Sequence, residues 1–95
     1  MAAYVIAELE VTEPSGFEDY RKAVPASIAA YGGRYLARVG ALESLEGGWA
    51  PKRMVILEFP SLAQAKAWYT SPEYRELLRL RQRTAKSKVV LLEGV

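Results

Sequence analysis

The chain contains no cysteine, no histidine and no asparagine, and Asp19 is its only aspartate. Without cysteine there is no disulfide, no thiolate nucleophile and no zinc-thiolate centre. Without histidine there is no imidazole base, no haem histidine and no ordinary transition-metal ligand set. A metal would have to be held by glutamates alone, and the sequence implies no cofactor. No apolar run is long enough to span a bilayer. Residues Met1 to Glu8 lack a basic segment and meet a carboxylate too soon for a signal peptide, so the expected location is the cytoplasm. The missing asparagine and cysteine, with eight arginines to five lysines, fit a chain selected for heat resistance. A formal charge of +2 is too small to imply a nucleic-acid or membrane partner.

What is present describes one domain over residues 1–95. With 51% hydrophobic and 25% charged residues the composition is that of an ordinary globular protein. At this length the buried fraction of the surface is modest, and a partner chain would add to it.

Tyr4 to Val11 alternates Val5, Ala7, Leu9 and Val11 with Tyr4, Ile6, Glu8 and Glu10, the period of a strand. Pro14 to Glu18 ends it, and Ser15 with Glu18 three residues on predicts a capping box that opens a helix. That helix carries Phe17, Tyr20, Val24, Ile28 and Tyr31 at spacings of three or four. Pro25 lies inside it and predicts a kink or a restarted turn near Val24, and Gly32-Gly33 supplies a left-handed end. Arg34 to Val39 reads as a second strand, with Gly40 a bulge or bend in a longer ribbon whose pattern resumes at Leu42 to Leu45. A loop over 46–51 follows, with Trp49 exposed. Met54 to Phe59 is a third strand, stopped by Pro60. Ser61 with Gln64, and Ser71 before Pro72, predict the starts of two more helices, the last reaching about Ala85. Tyr74, Leu77, Leu78 and Leu80 are expected to pack inward, with Arg75, Arg79 and Arg83 on a solvated face. Lys88 to Glu93 is the final strand.

This order predicts an α+β fold of the ferredoxin-like βαββαβ kind, an antiparallel sheet with helices on one face and the first and third strands as central neighbours. Val5, Ala7, Leu9 and Val11 then join Val55, Leu57 and Phe59 beneath the helices. The other face holds Tyr4, Ile6, Met54, Ile56 and Leu36, interrupted by Glu8, Glu10 and Glu58. Helices cover only one face, so the second calls for another copy of the chain, and a homodimer closing into a barrel is expected.

The segments Tyr-Gly-Gly-Arg-Tyr-Leu-Ala-Arg at 31–38, Leu-Glu-Gly-Gly-Trp-Ala-Pro-Lys-Arg at 45–53, Glu-Phe-Pro-Ser at 58–61, Ala-Trp-Tyr-Thr-Ser-Pro-Glu-Tyr at 67–74 and Glu-Gly at 93–94 run in order along nearly the whole chain. Together they resemble domain of unknown function 1330. The resemblance implies a dimeric α+β barrel, a superfamily of small homodimers that includes cofactor-independent monooxygenases, haem-degrading enzymes and dechlorinating isomerases. It implies no particular reaction and assigns no catalytic residue. Oxygenases and haem enzymes of that superfamily often use His or Asn beside aromatic residues, and this chain has neither.

From the residues themselves, Glu58 and Glu8 are the candidate catalytic groups: alternation puts both on the face a dimer would close over, where a carboxylate with a raised pKa could exchange protons with a ligand. The alternative for both is pairing with Arg34, Arg38 or Arg53. Those arginines could instead clamp an anionic ligand. Tyr20, Tyr35, Trp68, Tyr69 and Tyr74 could line an aromatic pocket or fill core. Two functions follow: a cofactor-free enzyme that binds a small organic molecule with Arg anchoring and Glu proton transfer, or a non-catalytic binding or structural dimer.

Overall fold

The computed structural model describes residues 1–95. Its elements are β1 (Ala3–Val11), α1 (Pro14–Ala30), β2 (Arg34–Arg38), β3 (Arg53–Phe59), α2 (Leu62–Tyr69), α3 (Pro72–Thr84) and β4 (Ala85–Glu93). The strands form one antiparallel sheet in the order β2-β3-β1-β4, so β1 and β3 are the central pair the alternation predicts. No helix is long and apolar enough to cross a membrane.

The odd-numbered residues of β1 and β3 face the helices. Ala3, Val5, Leu9, Leu57 and Phe59 are buried there beneath Phe17, Tyr20, Val24 and Ile28 of α1, Ala65 and Trp68 of α2 and Tyr74 of α3. Rings form the centre of this core: Phe59 and Trp68 lie 5.4 Å apart, Trp68 and Tyr74 4.2 Å. The opposite face has no cover. Tyr4, Ile6, Met54 and Ile56 are half-buried on it, while Val90, Leu92 and Leu36 are 59%, 57% and 47% exposed.

The helix starts are set by two different devices. Ser61 and Ser71 cap α2 and α3, accepting from the amides of Gln64 at 3.2 Å and Tyr74 at 3.1 Å. The box expected from Ser15 and Glu18 does not form. Pro14 occupies the first turn of α1, Glu13 is the cap without a side-chain bond, and Glu18 pairs with Arg21 instead. The amides of Thr12 and Glu13 both donate to the Thr84 carbonyl, tying the start of α1 to the end of α3.

Pro25 produces no break, and α1 runs through it. A proline in a helix interior costs about 3 kcal/mol. Phe17, Tyr20, Val24 and Ile28 straddle it and are all buried, each contributing roughly 1.5–3 kcal/mol, so packing on both sides outweighs the lost bond. At the C-terminus Gly32 takes φ 79°, and the amide of Gly33 reaches back to the Ile28 carbonyl at 3.0 Å.

Two strand boundaries differ from the sequence reading. The ribbon does not resume at Leu42–Leu45: the chain from Val39 to Lys52 has no strand, and Leu42 and Leu45 are exposed. The irregularity placed at Gly40 instead lies between Tyr35 and Ala37. β4 begins at Ala85 directly after α3, three residues before Lys88, because Ala85, Ser87 and Val89 continue the inward alternation against β1.

Candidate functional site

The bulge in β2 decides which residues meet. Tyr35 pairs with Leu57 and Arg38 with Val55, both inward-facing positions, whereas Arg34 pairs with Glu58 on the open face. Without the extra residue, positions 35 and 38 would point to opposite faces. With it, the Arg38 guanidinium lies 4.5 Å from the centre of the Tyr35 ring, and both face the helices.

They help to line a pocket of about 70 Å³, partly open to solvent, between the helices and the sheet. Val5, Ala7, Leu9, Val55 and Leu57 form its floor, and Tyr20, Tyr69, Trp68 and Tyr74 its aromatic walls. Arg21, Arg38, Arg53 and Arg81 also border it, and no aspartate or glutamate does. Val39, at the rim, has φ 53°, a conformation that a β-branched residue rarely adopts and that concentrates at ligand-contacting sites.

The polar groups of the walls are engaged with one another. Tyr20 Oη and Tyr74 Oη are 2.9 Å apart, and Arg81 Nε donates to Tyr74 Oη at 3.3 Å. Arg81 Nη1 donates to Ser87 Oγ, and Trp68 Nε1 to Ser27 Oγ at 3.1 Å. Burial pushes the Tyr20 phenol far above its ordinary range, and burial also raises Tyr35 against the opposing pull of Arg38. For Arg81, burial disfavours the charged form, but Tyr74, with Tyr20 and Tyr69 behind it, outweighs that and holds the proton more firmly.

The structure therefore brings Arg53, Arg38, Tyr20, Tyr35, Trp68 and Tyr69 to one pocket. Arg34, Glu58 and Glu8 stand on the other side of the sheet. Arg34 is bonded to Glu58 at 2.8 Å, and Glu8 accepts from Trp49 Nε1 at 3.0 Å. Arg81 was not among the residues singled out from sequence. It sits among Arg75, Arg79 and Arg83, and the only signal that separates it is phase. Seven residues after the buried Tyr74, it returns to the same side of α3 after two turns. No group of His, Cys, Asp or Glu is placed to hold a metal ion.

The family profile of a domain of unknown function (DUF1330) matches residues 2–95, and the chain belongs to that family. No curated protein matches it in sequence. Among solved structures it is similar to a protein of unknown function from Rhodopseudomonas palustris, with 18% identity, 99% of this chain and 82% of that one covered, and a TM-score of 0.79. It is also similar to SnoaB, a cofactor-independent oxygenase from Streptomyces nogalater, with 13% identity, coverage of 99% and 93%, and a TM-score of 0.71. A dimeric ferredoxin-like protein of unknown function from Jannaschia has 15% identity, coverage of 99% and 100%, and a TM-score of 0.68. These likenesses establish the ferredoxin-like fold.

Proposed function

We propose that the chain acts as a homodimer that holds a small ring-bearing organic molecule in the pocket between helices and sheet. The observation that carries this is an open, aromatic-walled cavity between the helices and the sheet. A cofactor-independent oxygenase with the same fold is a precedent for a small molecule handled by such a scaffold. Pairing of two copies is supported by the uncovered sheet face with Leu36, Val90 and Leu92, and by neighbours described as dimeric. The same reading takes the dimer to be cytoplasmic and to have no nucleic-acid or membrane partner, the latter supported by the near-balance of 13 basic and 11 acidic residues.

Trp68 is in the pocket wall and is 3% exposed, so its fluorescence reports occupancy once the exposed Trp49 is replaced by Phe. Small aromatic compounds should change that emission saturably, and Ala7→Leu, which fills the floor, should abolish the change. No saturable response across single-ring compounds would remove the binding reading. Light scattering at micromolar concentration tests the pairing separately, and a monomer there would refute it.

A second reading, a dimer that binds without turnover, is favoured over glutamate chemistry by one observation. Both Glu58 and Glu8 are bonded to neighbours on the face away from the pocket. Glu58→Gln should therefore leave pocket binding and the dimer unchanged, and a lowered turnover of the bound compound would restore the glutamate reading.

A further inference from the structure

The most unusual group in the molecule is Arg81. It is 4% exposed, yet it forms no ion pair; the four ion pairs of the chain join other residues. Its bonds go to two neutral hydroxyls, Tyr74 and Ser87. A guanidinium carries five N–H donors and stays charged in proteins. A buried charge is normally paired, because removing it from water is costly without a partner. The position of Arg81 in the last turn of α3 offsets part of that cost through the helix dipole, but it supplies no counter-ion.

The surroundings extend the imbalance. Four arginines border the pocket and no carboxylate does. Arg21 is neutralised by Glu18, while Arg38 and Arg53 lie over the rings of Tyr35 and Phe17 and form no ion pair. A chain with a net charge of only +2 has thus concentrated positive charge in one apolar concavity, where field lines focus and an anion is drawn in. The Tyr20, Tyr69 and Trp68 rings form walls suited to a flat ring. The enclosed space of about 70 Å³ is about half that of a cavity that takes a benzene, roughly 150 Å³, so a substituted ring enters only part way and its far edge lies in the open mouth.

We propose that the pocket takes an aromatic carboxylate, its ring between the aromatic walls and its carboxylate on the guanidinium of Arg81. This rests on the pocket being a binding site at all, and adds the charge and shape of what it binds. The carboxylate supplies the counter-ion that the fold withholds from Arg81, and the planar fork of the guanidinium matches a carboxylate with parallel bonds. The hydroxyls of Tyr74 and Ser87 hold that fork in place from the side.

The test compares benzoate and 4-hydroxybenzoate with benzamide by calorimetry on the protein, for wild type, Arg81→Gln, Arg81→Lys and the exposed control Arg75→Gln. Hydrogen bonds to a charged group predict that wild type binds the acids about 10- to 100-fold more tightly than the amide. Arg81→Gln should lose that preference and still bind the ring, Arg81→Lys should keep part of it, and Arg75→Gln should keep all of it. Equal affinity of wild type for acid and amide would overturn the assignment while leaving the pocket a binding site, and needs no variant to fold. Acid preference that survives in Arg81→Gln would overturn it too. If wild type binds neither acid nor amide, the pocket reading and this one fall together.

Discussion

Replacing Tyr74 by Phe should destabilise the protein far more than replacing Tyr20 by Phe, although the two hydroxyls are bonded to each other. Both side chains are buried, at 1% and 8% exposure, and each change removes one oxygen without altering the ring. Tyr20→Phe breaks a single neutral hydrogen bond, the one at 2.9 Å to Tyr74, worth about 1 kcal/mol. Tyr74→Phe breaks that bond and the one from Arg81 Nε at 3.3 Å. A bond to a charged group is worth about 1.5–3 kcal/mol, and the long distance argues for the lower end. The expected loss is therefore about 2–3 kcal/mol, with the Arg81 guanidinium left to Ser87 alone.

Against the roughly 5–14 kcal/mol available to a domain of this size, such a loss is easily measured. Urea unfolding followed by circular dichroism, at one fixed protein concentration because the chain is proposed to be dimeric, should show a lower midpoint with an unchanged slope. The double variant should cost about as much as Tyr74→Phe alone, since the Tyr20 bond is already gone. If Tyr74→Phe costs no more than Tyr20→Phe, Arg81 does not depend on Tyr74 and the account of how the cation is held is wrong.

Two further outcomes follow from other parts of the fold. A Cβ on Gly33 would lie 2.5 Å and 2.7 Å from Phe59 ring carbons and 2.8 Å from Ile28 Cγ2, both fully packed. Gly33→Ala should therefore cost at least about 1–3 kcal/mol, whereas Gly40→Ala, with nothing within 4 Å, should stay within about 0.5 kcal/mol; equal urea midpoints would refute the packing argument. The Tyr31 hydroxyl donates to Glu73 at 2.8 Å and holds that carboxyl below its ordinary range. A lowered folded-state pKa means a contribution present above the unfolded value and lost as pH falls through the folded one. Tyr31→Phe should move the Glu73 titration, read from its carboxyl carbon by NMR, up toward the ordinary value, and an unmoved curve would count against the bond.

Where one physical rule dominates, the chain states its own structure. The alternation of β1 and β3, the serine caps of α2 and α3 and the glycine end of α1 could all be read, because each depends on residues within one turn or one strand. The faces of the sheet followed from parity alone. The capping box at Ser15 failed because Pro14 had already started α1 and the loop was held by the distant Thr84 carbonyl, a contact with no local signature. The sequence pattern points to Gly40, the residue able to bend, while the structure has the bulge beside Tyr35, where pairing with β3 decides the register. The pocket was legible as a set of aromatic and arginine candidates. Which side of the sheet each would join depended on that bulge, and Arg81 was hidden among its exposed neighbours.

The unpaired cation and the acid-free pocket have a common origin in the parity of the central strands. Glu8, Glu10 and Glu58 all fall on the open face, where Lys88 and Lys86 stand across from Glu8 and Glu10 and Arg34 across from Glu58. The carboxylates of β1 and β3 are thus matched to bases on a surface away from the helices. In β4, Glu93 has helix-side parity but lies at the exposed end beside Ala3. A slip of one residue in β1 would carry Glu8 and Glu10 to the helix side, toward Arg81, while burying the wrong apolar set. Because the same register that fills the core also keeps every carboxylate of the central strands out of the pocket, Arg81 is left without a carboxylate partner by the fold itself, and that is the place the proposed ligand takes.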